Sequence, residues 1–344
     1  MTTLSCRAPY GKGGLGQHFA QIVEEEREAG RLARYFSIGV KPGDEALGSV
    51  VAMPYARPLI RATPLRVLRG WKNYVIGDLF DRAVAARLDA PTETFVGFIG
   101  KSLRSFRRAR ALGFERLGVH VGNSHVEKVR RLHDRAFRQW GMERSWLNGA
   151  QIRKALLEYE MADMIFVNSA YTWASFEEAG VPAEKLRRFR LKPLPRYQPP
   201  PSRPTDGVFR VVYAGSLTVP KGVPVLVEAF GRLEGAAELT LVGHWTSRAM
   251  RRYLEGRMAR DPRIRVAPGD PLPHYRRADV CAHPTYEDGF AYAPAEALAC
   301  GVPVIVTEDT GMKELVREGE NGFIVPTGDV DALFERLRHL MHAR

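Results

Sequence analysis

The sequence predicts two consecutive α/β domains, each built on a mostly parallel sheet. Short apolar runs alternate with amphipathic stretches along the chain, the pattern of repeated strand–helix–strand units. A proline-rich stretch near residue 200 interrupts that alternation, which then restarts. With 344 residues the chain can bury two separate cores, although that length would also hold one large domain.

In the first half, strand-like runs stand at residues 3–8, 35–40, 94–99, 117–121 and 164–168, separated by helical stretches such as 15–29, 64–88 and 124–140. The segment from Leu191 to Pro204 carries too many prolines for a helix or a central strand and reads as a linker. Beyond it, strands are expected at 209–214, 238–242, 264–267, 280–283 and 302–307. Helices are expected at 223–233, 247–258, 294–299 and 329–341. The resulting boundaries are 1–195, a linker over 196–207, and 208–344. In open α/β sheets ligands bind at the carboxyl ends of strands, so two such domains are expected to face each other across a cleft.

Composition removes several classes. No run approaches the roughly 18 apolar residues of a membrane span, and the first residues lack the basic-then-apolar pattern of a signal peptide. A cytoplasmic location is expected. The cysteines Cys6, Cys281 and Cys300 have neither metal-ligand spacing nor an even count, which suits buried thiols. Neither a metal nor a cofactor is expected. The charge is uneven: residues 1–200 hold 33 Lys and Arg against 20 Asp and Glu, and the remainder 18 against 19. A nucleic-acid role has only this charge behind it, with no recognition motif, and is set aside. Basic side chains flank an apolar stripe of Leu65, Leu68, Trp71 and Val75 behind Thr63 and Pro64, which read as a helix start. Such a helix suits either packing on its own sheet or peripheral contact with an anionic membrane.

Gly11-Lys12-Gly13-Gly14-Leu15-Gly16 follows a strand and precedes a helix, the setting of a dinucleotide fingerprint. That fingerprint needs an acid at the tip of the second strand, and Lys41-Pro42 stand there instead. A nicotinamide site is disfavoured. Close approach of an anion to Gly13, Gly14 and Gly16 remains, beside a plain tight turn.

The second half carries the more specific signal. Lys221 stands just before a helix, after the strand ending near Gly215, where an ammonium could balance a diphosphate. Asp288 and Glu296 lie eight residues apart around a glycine-led turn, and carboxylates so placed suit the vicinal hydroxyls of sugars. Pro294 suits the first turn of a helix, which would put Glu296 in that turn. Asp329 reads as a helix N-cap.

Taken together these segments resemble the retaining GT-B glycosyltransferases of family four. The resemblance rests on Asp288-x7-Glu296, on Gly215 to Gly222, and on the tail from Gly311 through Glu314, Gly319 and Asn321 to Pro326. Gly13-Gly14-Leu15-Gly16, Gly122 to His125, and Tyr159 to Ser169 add weaker matches. The resemblance implies two Rossmann-like domains, with a nucleotide sugar held by the second and a small-molecule, lipid-linked or glycan acceptor by the first. Glu296 would bind the nucleotide ribose and Lys221 the diphosphate. Asp288 and the backbone of Gly289, Phe290 and Ala291 would face the donor sugar, and His125 would lie near that sugar and the acceptor hydroxyl. It also implies retention of configuration without a metal. Three departures stand out: Ser216 replaces the usual arginine, the first carboxylate is Asp288 (or Glu287 out of register), and no crossing C-terminal helix precedes Arg344. They motivate a rival reading, a catalytically weakened partner subunit.

Overall fold

A computed structural model describes residues 1–343, except the side chain of Arg69. Arg344, the last residue of the expected second domain, and the Arg69 side chain of the proposed basic helix lie outside the described residues.

The first sheet has seven strands: β1 (Thr2–Pro9), β2 (Leu32–Gly39), β3 (Gly48–Val50), β4 (Thr94–Phe98), β5 (Arg116–His120), β6 (Met164–Val167) and β7 (Leu186–Arg188). Their order is β3-β2-β1-β4-β5-β6-β7, with every pairing parallel. The second sheet has six: β8 (Phe209–Ala214), β9 (Ala237–Val242), β10 (Ile264–Ala267), β11 (Val280–His283), β12 (Val304–Thr307) and β13 (Gly322–Val325). They run in the order β10-β9-β8-β11-β12-β13, again all parallel. Central strands such as β4, β8 and β11 are buried along their whole length, as sheets covered on both faces require.

The chain divides into two compact units. One comprises Met1–Glu127, Ser145–Asn168 and Trp173–Leu191; the other comprises Lys128–Arg144, Ser169–Thr172 and Lys192–Arg344. Most of the helix Val126–Trp140 therefore belongs with the second unit despite its place in the sequence. Trp140 Nε1 donates to Tyr286 Oη at 2.8 Å, and Arg135 donates to the Thr327 carbonyl at 2.8 Å. The proline-rich segment also packs into the second unit: Arg203 donates to the Cys300 carbonyl at 2.8 Å.

Two helix expectations need correction. The single helix expected over residues 64–88 is a 3-10 turn, Pro64–Arg66, followed by a helix, Arg69–Ala85, with Val67 and Leu68 outside both. The stripe does not pack wholly on the sheet either, since Leu68 and Trp71 stand exposed. Three edge strands, β3, β7 and β13, went unforeseen; three or four residues are too few to display alternation. The three cysteines are buried and free, as expected, and Asp329 caps its helix through Ala332 N–H at 2.9 Å.

Candidate active site

In the second unit, β8 and β11 are adjacent parallel strands, so the loops that leave them share the carboxyl edge of the sheet. Glycine lets those loops touch. Gly222 has φ +72°, and a Cβ there would fall 1.7 Å from the Pro284 carbonyl oxygen. The same carboxyl-edge loops are stitched together by Tyr286 N–H and Thr285 Oγ1, which donate to the Pro220 carbonyl at 2.8 and 3.1 Å.

This contact brings together two residues 67 apart. Lys221 Nζ lies 2.5 Å from Asp288 Oδ2 and 3.3 Å from the Glu287 carbonyl oxygen. Burial alone would lower the Lys221 pKa, but the Asp288 and Glu287 charges outweigh it and the net shift is upward. Burial would raise the Asp288 pKa; the lysine overrides that and holds the carboxyl well below its ordinary range. His283 Nε2 stands 3.9 Å from Asp288 Oδ2, beyond hydrogen-bond reach, and its ring stacks on Tyr213 with centroids 5.3 Å apart. Burial keeps His283 neutral, below its usual pKa. The site thus holds one firm cation–carboxylate pair beside an aromatic wall.

Asp288 Oδ1 also accepts the Ala291 N–H at 3.1 Å, which bends the loop into the helix Tyr292–Ala299. Ala291 sits at φ +63°, alone among the described non-glycine residues. A left-handed alanine is strained, which places a stored cost directly in this loop. Of the three N–H groups expected to face a sugar, those of Gly289, Phe290 and Ala291, the last is donated to Asp288. Another expectation fails here: the helix begins at Tyr292, so Pro294 is its third residue and Glu296 its fifth, beyond the first turn.

Glu296 is buried, with 6% of its surface exposed, and Tyr275 Oη approaches its Oε2 at 3.5 Å. Burial raises its pKa to about 7, partly offset by Tyr197, Arg196 and Tyr275. Arg196 in turn forks onto Asp270 at 2.7 and 2.9 Å. Sequence reasoning missed Arg196, Tyr197, Asp270 and Tyr275; two lie in the segment read as linker, and nothing local marks any of them. The shift has a testable sign. A carboxyl raised from 4.5 to about 7 contributes its stability below pH 4.5 and loses it as pH climbs through 7. Glu296→Gln should therefore unfold at a higher temperature than the wild type at pH 8, by about 1–3 kcal/mol of stability, and match it near pH 4.5. Thermal unfolding at both pH values checks this; equal shifts at both would refute it.

Ser216 is exposed, and its carbonyl accepts from Tyr213 Oη at 3.0 Å. Glu287 is fully buried.

The other assigned residues belong to the first unit. Gly13 opens the helix Gly13–Glu28 at φ +68°, and Gly13 and Gly14 are exposed. Gly16 is there for packing: a Cβ would meet the Pro9 carbonyl oxygen at 2.3 Å. His125 is buried between Tyr159 and Phe176, each with ring centroids 5.2 Å away, and its backbone N–H donates to Ser175 Oγ at 2.9 Å. Burial lowers its pKa, with Glu127 opposing at 4.0 Å, so the imidazole is neutral at physiological pH.

Residues 208–343 match the family described as Glycosyl transferases group 1. A putative colanic acid biosynthesis glycosyltransferase of Escherichia coli, WcaL, is 30% identical over 183 residues, 48% of this chain and 44% of that protein. The chain spans less than half the length of the curated relatives it matches. Among solved structures, a sucrose-phosphate synthase from Thermosynechococcus elongatus superposes with a TM-score of 0.74 at 20% identity, over 99% of this chain and 89% of that one. The Anabaena protein Alr3699/HepE, solved in complex with UDP-glucose, gives 0.65 at 17% identity, over 100% and 90%. At such identities the likeness speaks for the fold, which is GT-B.

Proposed function

Starting from a chain whose residues 208–343 match the group 1 glycosyltransferases, we propose that it transfers a hexose, with retention of configuration, from a nucleotide-diphosphate sugar to a hydroxyl of a glycan, lipid-linked or small-molecule acceptor. Bacterial polysaccharide or glycoconjugate synthesis is the setting that its relatives' names suggest. The observation behind the reading is the Lys221–Asp288 pair at the carboxyl edge of the second sheet, with Glu296 buried on the helix that follows.

Each residue has a role in this reading. Glu296 accepts from ribose hydroxyls, and its raised pKa leaves it able to accept or donate. Lys221 offsets charge on the departing diphosphate. Asp288 both orients that ammonium and fixes the loop whose backbone meets the sugar. The bond from the sugar's anomeric carbon to the diphosphate breaks while the acceptor oxygen bonds to that carbon on the same face. The acceptor's proton passes to a phosphate oxygen of the leaving group. His125, neutral because it is buried, serves the sugar and the acceptor hydroxyl by hydrogen bonding.

One observation favours the weakened-subunit rival: Ser216 offers no charge where the family has arginine. Thermal shift against a panel of nucleotides and nucleotide sugars, with uridine nucleotides first, tests the reading. A ligand at about 100 times its Kd adds about 2.7 kcal/mol of stability, a rise of several degrees. Transfer or donor hydrolysis by the same protein decides between the two readings. Stabilisation without turnover supports the rival, and no stabilisation by any donor refutes the donor site.

A further inference from the structure

We propose that residues 50–72 of the first unit form a docking surface for an anionic phospholipid bilayer. Of the nine large apolar side chains exposed among the described residues, six cluster here: Val50, Tyr55, Leu59, Val67, Leu68 and Trp71. Val67 is 75% exposed, the most of any of them, at the break between the 3-10 turn and the helix that follows. Side chains of this kind are costly in water and gain by entering the boundary between headgroups and acyl chains, where tryptophan is favoured.

The charges point the same way. No Asp or Glu occurs from Ala46 to Gly77, whereas Arg57, Arg61, Arg66, Arg69 and Lys72 do. Arg57, Arg61 and Arg66 are exposed, and among the described residues they form no ion pair. Some exposed arginines elsewhere in the same unit have a nearby acid, as Arg31 has Glu26, Arg104 has Asp78, Arg110 has Asp163 and Arg116 has Glu93; what sets residues 46–77 apart is a run of cations without any acid, beside exposed apolar side chains. An apolar patch rimmed by unmatched cations complements a surface that is greasy beneath and phosphate-bearing above. A second copy is the poorer partner, because a two-fold contact would set this cationic surface against itself. No helix of the described residues is long and apolar enough to cross a membrane, so the contact is peripheral. The inference is independent of the transferase reading, since it concerns adsorption alone.

Vesicle flotation tests it, using phosphatidylcholine vesicles with and without one third phosphatidylglycerol. The wild type should partition onto the anionic vesicles about tenfold more strongly, and less so in high salt. The triple variant Arg57→Glu, Arg61→Glu, Arg66→Glu should fall to the phosphatidylcholine level. Val67→Asp with Trp71→Asp should lose binding even at low salt. All five positions are exposed, so the unfolding temperature should not move. Equal partitioning onto both vesicle types overturns the proposal, as does wild-type binding by the variants. A dimer in sedimentation velocity that Val67→Asp with Trp71→Asp dissociates, without vesicle binding, would assign the surface to a second copy instead.

Discussion

Replacing Lys221 by alanine is expected to lower transfer about 10²–10³-fold, the loss typical when one preorganised group facing developing charge is removed. The ammonium is held 2.5 Å from Asp288 and raised in pKa by it, so at neutral pH it is fully charged and fixed in place. A fixed charge needs no reorganisation as the diphosphate departs. The substitution also strands the Asp288 carboxylate, whose low pKa depends on that lysine. Stability should fall by about 1–3 kcal/mol. The two effects separate in steady-state kinetics on folded protein well below its unfolding temperature. Lys221→Arg keeps the charge but not the geometry, and should retain the stability better than the turnover. Transfer by Lys221→Ala within a few-fold of the wild type would remove the lysine from the chemistry.

Glu296→Ala and His125→Ala are expected to fail in different ways. Glu296 is buried in the second unit and, in the proposed reading, grips the nucleotide, so its loss should weaken nucleotide binding by about tenfold or more. His125 belongs to the first unit, packed against Tyr159 and Phe176, and is assigned to the sugar and acceptor. Its removal should leave nucleotide affinity within about twofold while lowering turnover about 10²-fold or more. Calorimetric titration with the nucleoside diphosphate, set beside initial rates, reads both quantities. Equal nucleotide loss in the two variants would contradict the assignment. The His125 substitution empties space between two aromatic rings, so His125→Phe, which preserves packing, is the companion that separates a lost hydrogen bond from a lost contact.

In the loop after β11 the sequence and the fold carry different information. The eight-residue spacing from Asp288 to Glu296 was visible as a pattern, as was the lysine before Gly222. That Asp288 would take Lys221 as its partner and tie down the Ala291 N–H was not. Nor did anything announce that Ala291 would adopt a left-handed backbone, a conformation alanine avoids unless its surroundings impose it. The start of the helix at Tyr292 rather than Pro294 follows from the same loop. Proline fits several early helical positions, so its presence alone does not fix the register.

What the residues determined unaided is the alternation of strand and helix and the location of most of the strands. Phe209–Ala214, Ile264–Ala267 and Val280–His283 were bounded to the residue. These are local matters, because side-chain periodicity and turn chemistry act over a few positions. Tertiary structure alone decided the short edge strands β3, β7 and β13, the division of helix 64–88, and the grouping of Lys128–Arg144 with the second unit. It alone set Arg196, Tyr197, Asp270 and Tyr275 around Glu296. Each of these depends on which surfaces meet after the chain has folded. Burial and pairing energies between residues tens of positions apart leave no trace in any short stretch of sequence.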